Sequence, residues 1–244
     1  MIVMSIAGVD PSAGAGVFAD LKTFQAIGVY GTGIVTALTA QNPYKFFSTL
    51  PVSEAYIEEQ IDAVMDSYEV DFFKTGMLYS PEIIKLVSGK IKEYGLKAVV
   101  DPVMVATSGG DLTKEDIAKS LNKHLLPNSI LTTPNIAEAE KLTGMKIDSK
   151  ESAEKASKLI KCDNLITGGH LDGLNTISIS GEVTFKKQEL IETENLHGTG
   201  CNLSAAITAY LAQNNDLKTS ILKSLDYVYE GIKNGNHGTL IAKI

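Results

Sequence analysis

Two glycines, a threonine and a cysteine stand together at His197-Gly198-Thr199-Gly200-Cys201, directly ahead of an apolar helical run from Leu203 to Leu211. A helix start presents backbone N–H groups that have no partner within the helix, and it carries the positive end of the macrodipole. Glycines let a backbone approach a charged group closely, so this turn suits an anion, most often a phosphate. The same field would lower the pKa of a thiol placed there, which makes Cys201 a candidate base or nucleophile. Read alone, the segment is equally an ordinary glycine turn into a buried helix.

Other residues of chemical interest recur just after short apolar runs. Ile2–Ala7 is followed by Gly8, Asp10, Gly14 and Gly16; Gly33–Thr39 by Gln41-Asn42-Pro43; and Val70–Lys74 by Gly76-Met77. Ala98–Val100 leads into Asp101-Pro102-Val103-Met104, and Ile130–Thr133 into Pro134-Asn135, with Glu138 one turn on. Asn164–Thr167 ends at Gly168-Gly169-His170. If the runs are parallel strands, these residues share the carboxyl edge of the sheet, where open α/β sheets bind ligands. Asn135 also reads as a helix N-cap and Glu138 as its dipole partner, roles that leave room for a second one. Two sparse carboxylates near a phosphate turn suit Mg²⁺, which takes one or two carboxylates plus phosphates and waters.

Several chemistries are excluded. There is no G-x-x-x-x-G-K-[ST], no G-x-S-x-G and no H-E-x-x-H. Gly14 and Gly16 lack the third glycine of a dinucleotide fingerprint, and Asp10 in that loop would repel a pyrophosphate. His124, His170, His197 and His237 show no metal-ligand spacing. An anion-holding helix start, an acidic pair and no P-loop together suggest phosphoryl transfer of a different lineage.

The elements that must position these residues follow from periodicity. Strands are expected at the apolar runs named above, with the fourth one extending over Ala98–Asp101. Helices are expected at Ala15–Ile27, Glu54–Tyr68, Pro81–Tyr94, Lys114–Leu125, Asn135–Leu142, Ser152–Ile160, Cys201–Gln213 and Leu217–Lys233. Asn175–Ser180 and Glu182–Lys187 alternate about Gly181 and read as a hairpin added to the sheet. The rhythm argues for a mostly parallel sheet with helices on both faces. The 244 residues carry 44% hydrophobic side chains and no linker or repeat, so one domain over 1–244 is expected. A net charge of -7 without a basic patch gives no footprint for nucleic acid. Two cysteines far apart, no signal peptide and no run long enough to span a membrane point to the cytoplasm.

Taken together and in order, these motifs resemble the hydroxymethylpyrimidine (phosphomethylpyrimidine) kinases of thiamine biosynthesis, in the ribokinase-like superfamily. The segments that carry the resemblance are Ile6–Gly16, Ala19–Phe24, Thr36–Asn42, Lys74–Leu78, Asp101–Met104, Thr133–Asn135 with Glu138, Gly168–His170 and His197–Cys201. The resemblance implies a three-layer α/β/α ribokinase-like fold with a mostly parallel central sheet. It implies a phosphotransferase using ATP and Mg²⁺ on 4-amino-5-hydroxymethyl-2-methylpyrimidine and then its monophosphate, and a homodimer. Gln41 would read the pyrimidine edge, with Gly8, Asp10, Asp20, Met77 and Val103 around the same ring. Asn135, Glu138, Thr167, Gly168, Gly169, Gly198 and Gly200 would face the nucleotide, and Asp101 and Glu138 the metal. Gly198, Thr199, Gly200 and Cys201 would form the anion hole. Cys201, standing where sugar kinases of the superfamily carry an aspartate, would be the base. Thr167 stands where the family usually has a lysine, which would alter ATP affinity or donor choice, and the C-terminal segment is shorter than usual. A pyridoxal or pyridoxine kinase of the same superfamily is the neighbouring reading, and a catalytically weak pyrimidine-binding protein is another. Gln41 in its Ala-Gln-Asn context favours the pyrimidine.

Overall fold

Ile2–Val9 (β1) has no polar alternation, and all but its ends are buried, as a strand covered on both faces requires. It runs parallel to Tyr30–Asn42 (β2) on one side and to Phe72–Thr75 (β4) on the other. The computed structural model describes residues 1–106, 110–111, 116–169 and 171–241. Lys97–Val100 (β5), Leu131–Thr132 (β8) and Asn164–Ile166 (β9) continue the parallel array. Antiparallel strands close it at both edges: Lys45–Pro51 (β3) beside β2, and the hairpin of Leu174–Ile179 (β10) with Glu182–Lys187 (β11) beside β9. The nine strands lie in the order β11-β10-β9-β8-β5-β4-β1-β2-β3. Val105–Ala106 (β6) and Gly110–Asp111 (β7) form a separate two-stranded ribbon.

Neighbouring residues on the central strands point to opposite faces, and each face has its own core. Val3, Val99 and Leu165 meet Gly16–Ile27 (α1), Thr199–Ala212 (α7) and Leu217–Lys233 (α8) on one side. Met4, Val100 and Ile166 meet Glu54–Ser67 (α2), Pro81–Tyr94 (α3), Ile136–Thr143 (α5) and Lys150–Leu159 (α6) on the other. The three layers match the expected α/β/α architecture. The α3 boundaries come out as the sequence reads them, because Ser80 accepts from the Ile83 N–H, Pro81 opens the helix and Gly95 closes it left-handed.

Some elements differ from expectation. The helix expected over Lys114–Leu125 is a short α-turn, Ile117–Ser120 (α4), that widens into a π-helical turn at Leu121–Leu125. Its first residues, 114–115, and His170 lie outside the described residues. Strand β3, which the sequence reading did not place, is an edge strand with mostly exposed residues, so it lacks the apolar run of a buried strand.

Candidate active site

The parallel strands all end on one edge, and two backbone turns meet there. Gly198 caps α7 with φ +82°, and a Cβ on it would lie 1.7 Å from the Gly14 carbonyl oxygen. Gly16 opens α1 with φ +62°, where a Cβ would fall 2.2 Å from the Gly8 oxygen. Both contacts admit only glycine. Asn202 bridges the turns: its Nδ2 donates to the Gly198 oxygen at 2.8 Å and the Gly14 oxygen at 3.4 Å, and its Oδ1 accepts from the Thr23 hydroxyl. No side chain caps α7, and open space lies where a Gly200 Cβ would stand. The backbone N–H groups of this helix start are thus left uncapped by any side chain, an arrangement that suits an anion.

Beside it is a cleft with about 340 Å³ of empty space. Gly8, Asp10, Gln41, Met77 and Val103 line it, together with Cys201, Gly16 and Thr39. Met77 forms an apolar wall and reaches Gly8 so closely that a Cβ there would meet its Cε at 2.4 Å. The Thr36 hydroxyl holds the Met77 carbonyl at 2.6 Å. Gln41 Oε1 is buried and has no partner within the described chain. Asp10 organises its own loop, accepting from the Ser12 N–H, the Ser12 hydroxyl and the Ala15 N–H, and it meets His197 Nε2 at 2.7 Å. Burial pushes the Asp10 carboxyl up, but the hydrogen bonds from His197 and Ser12 outweigh it and hold the carboxyl below its ordinary range.

The family model described as phosphomethylpyrimidine kinase matches residues 10–241. The chain belongs to this family. A hydroxymethylpyrimidine/phosphomethylpyrimidine kinase of Rhizobium meliloti (strain 1021) is 41% identical over 95% of this chain and 90% of its own. The crystal structure of phosphomethylpyrimidine kinase from Clostridium difficile 630 superposes with a TM-score of 0.84 at 37% identity, covering 95% of this chain and 99% of that one. An ADP complex of Bacillus subtilis pyridoxal kinase superposes with a TM-score of 0.90 at 33% identity, covering 99% of this chain and 96% of that one. This member of the phosphomethylpyrimidine kinase family is therefore an enzyme of the phosphotransferase class.

In this kinase Asp20 does not line the cleft. It lies fully buried below it, 2.9 Å from the Lys74 ammonium and hydrogen-bonded by Ser5. Lys74 also stands 3.8 Å from Asp101, which accepts from the Ser204 hydroxyl and the Cys201 thiol. Burial pushes both aspartates up, and the Lys74 charge opposes that rise. The aspartates in turn hold Lys74 above its ordinary value. The expectation of an acidic Cys201 is corrected here. Burial pushes its thiol up to about 12, helped by the charges of Asp101 and Asp20, and outweighs Lys74 and the Gly16 N–H. The dipole at the helix start is too small to offset that desolvation.

Glu138 completes a capping box with Asn135: the Asn135 side chain accepts from the Glu138 N–H, and Glu138 Oε2 from the Asn135 N–H, both at 2.9 Å. Burial and the Asp101 charge push Glu138 to about 8. The Thr133 hydroxyl, two residues before Asn135, is buried with no partner in the described chain. Asp101 raises Glu138 by its charge, and two hard carboxylates so coupled suit Mg²⁺, which takes one or two carboxylates with phosphates and waters. Thr167 is joined to this edge by its N–H, which donates to the Pro134 oxygen at 2.9 Å. Gly168 is fixed by packing: a Cβ there would lie 2.0 Å from the Leu174 oxygen. Gly169 faces open space.

Reading the sequence missed the roles of Lys74, His197 and Asn202. Lys74 carried a signal, since a lysine inside the apolar run Phe72-Phe73-Lys74-Thr75 must find an anion when buried. His197 and Asn202 carried none, because their partners lie 187 and 188 residues away.

Proposed function

We propose that this kinase transfers the γ-phosphoryl group of ATP to 4-amino-5-hydroxymethyl-2-methylpyrimidine, and then to its monophosphate, as steps of thiamine biosynthesis. The observation that carries the reading is the unpartnered Gln41 amide oxygen in a cleft walled by Met77 and closed by Cys201. A primary amide offers a donor and an acceptor, which pair with an aminopyrimidine edge. Met77, seated against Gly8, offers the ring an apolar wall, and the hydroxymethyl group then extends toward the α7 turn.

The chain's own groups act by position. The hydroxymethyl oxygen bonds to the γ-phosphorus as the bond to ADP breaks, and the hydroxyl proton leaves on a phosphoryl oxygen of the product. The backbone of Gly198, Thr199, Gly200 and Cys201 faces the charge that develops on the transferred group. Asn135, Glu138, Thr167, Gly168 and Gly169 border the nucleotide. Cys201 enters with its thiol protonated and donating to Asp101, so it serves as part of the cradle, and a loose transition state needs little base. Mg²⁺, held by Asp101 and Glu138, would neutralise charge on the donor phosphates.

Residues 1–244 act as a single kinase domain in this reading, in the cytoplasm, where the two free cysteines stay reduced. A homodimer is supported by the exposed apolar residues Leu38, Tyr44, Phe47 and Leu50 on the β2–β3 hairpin. Pyridoxal is a second acceptor to consider, because the pyridoxal kinase superposition covers nearly the whole chain. ADP release is measured with Mg·ATP and the pyrimidine alcohol, its monophosphate, pyridoxal or ribose. Transfer to the pyrimidines is the expected result, preferential transfer to pyridoxal reassigns the acceptor, and transfer to none refutes the proposal.

A further inference from the structure

His197 does something that packing does not explain. It is 4% exposed, and its Nε2 lies 2.7 Å from Asp10 Oδ2. Asp10 is ionised, since its carboxyl is held low, so Nε2 carries the proton and donates. The other ring nitrogen, Nδ1, is buried with no partner in the described chain. An unpaired buried nitrogen destabilises a fold, and an apolar side chain of the same size would avoid that. The ring is therefore kept for what Nε2 holds.

What it holds is the junction of three segments. Asp10 anchors the loop that lines the acceptor cleft, with its remaining bonds to Ser12 and Ala15. The His197 backbone enters the anion turn one residue later, at Gly198. Its own N–H donates to the Gly238 oxygen at 3.2 Å. Gly238 packs against Pro43 and Tyr44 at the tip of the hairpin that carries Gln41, and a Cβ there would meet Pro43 at 2.7 Å. The ring also lies against Gly14, where a Cβ would come 2.6 Å from His197 Cδ2.

We infer that His197 is a positioning residue, whose bond to Asp10 holds the acceptor loop in register with the Gly198–Cys201 turn. The inference rests on the kinase reading above. A loop that shifts against the turn still binds the pyrimidine but presents its oxygen off line, and a displacement of about 1 Å lowers turnover by roughly 100-fold. The effect therefore falls on kcat and spares acceptor binding.

The test compares wild type, His197→Leu and His197→Gln by steady-state kinetics, with pyrimidine Kd from calorimetry. Leucine keeps the bulk and removes the donor, whereas glutamine places its own Nε2 where the ring had one. The expected result is a kcat at least about tenfold lower for leucine, a Kd within about threefold, and recovery of most of the loss by glutamine. A leucine variant with kcat within about threefold of wild type, or a glutamine variant no better than leucine, overturns the assignment. If the leucine variant does not fold, His197→Asn takes its place, since asparagine is too short to reach Asp10, and equal kcat in the asparagine and glutamine variants overturns it. A wild type inactive on every acceptor refutes the kinase reading instead. Independently of turnover, the Nε2–H proton of ¹⁵N-labelled His197 is expected to be protected from solvent exchange and to shift on adding the pyrimidine. Free exchange of that proton overturns the inference.

Discussion

Gly198 and Gly200 stand two residues apart on one turn and answer an added methyl group in opposite ways. At Gly200 the backbone is the first turn of α7, and a Cβ meets nothing within 4 Å. Alanine is a better helix former than glycine by about 1 kcal/mol, less at a helix end, so Gly200→Ala folds as well as the parent or slightly better. For a chain of this size that gain corresponds to roughly 2–4 °C in Tm. On the proposed function the same methyl projects into the space meant for the transferred phosphoryl group, and blocking an oxyanion-type cradle lowers kcat by roughly 100-fold. At Gly198 the left-handed φ of +82° and the 1.7 Å approach to the Gly14 oxygen remove both advantages. A left-handed alanine costs about 1–2 kcal/mol, and relieving the contact must push the two turns apart. Gly198→Ala therefore loses stability and activity together. Thermal unfolding and ADP release on both purified variants make the comparison. A Gly200→Ala enzyme with raised Tm and full turnover would show that the α7 turn does not cradle the phosphoryl group.

Gln41→Leu is expected to raise the pyrimidine KM by roughly tenfold to 100-fold with kcat little changed, since a ring left without its amide partner loses binding energy; an unchanged KM places the ring elsewhere. Cys201, with its thiol pushed up to about 12, is expected to react with iodoacetamide at pH 7 more slowly than free cysteine, measured by peptide mass spectrometry. Fast alkylation at neutral pH would restore it as a base. Glu138 is held at about 8 in the fold, well above its ordinary 4.5. The native state therefore binds the extra proton between those values, and the metal-free protein loses stability as pH rises from about 5 to 8, by on the order of a few kcal/mol. Glu138→Gln should flatten that fall in unfolding experiments, and Mg²⁺ titration of the parent near pH 7 should release protons. Lys74→Met leaves Asp20 buried without its cation and is expected to destabilise by about 3–5 kcal/mol in chemical denaturation; a neutral result would mean that Asp20 is protonated in the fold.

The sheet and most helices were legible because burial writes its period into the chain. Ile2–Ala7 is a largely apolar run without alternation, and Ser80-Pro81 with Gly95 marks both ends of α3. Strand β3 was not, since Lys45–Pro51 is mostly exposed and is held by its backbone pairing with β2. Gln41 could be brought to the cleft from the sequence because it stands at a strand end on the carboxyl edge of a parallel sheet. The thiol's acidity was misjudged because a sequence shows the helix start but not the burial of the sulfur, nor the charges of Asp101 and Asp20 that add to it. Asp20 was assigned to the ring for a similar reason: its partner Lys74 lies 54 residues away, and only the assembled sheet shows the pair to be fully buried.

One core cluster joins Val3, Phe24 and Val29 to Ala205, Ala209 and Ala212. During synthesis the first three leave the ribosome long before the helix that covers them. At about 5–20 residues per second, their apolar face waits roughly ten to forty seconds for α7 to arrive. Strand β1 is thus among the first segments made and among the last to be sealed. A nascent chain stalled before residue 199 exposes that face to chaperones and to other copies, so aggregation during expression should track the rate at which the segment from residue 199 onward is translated.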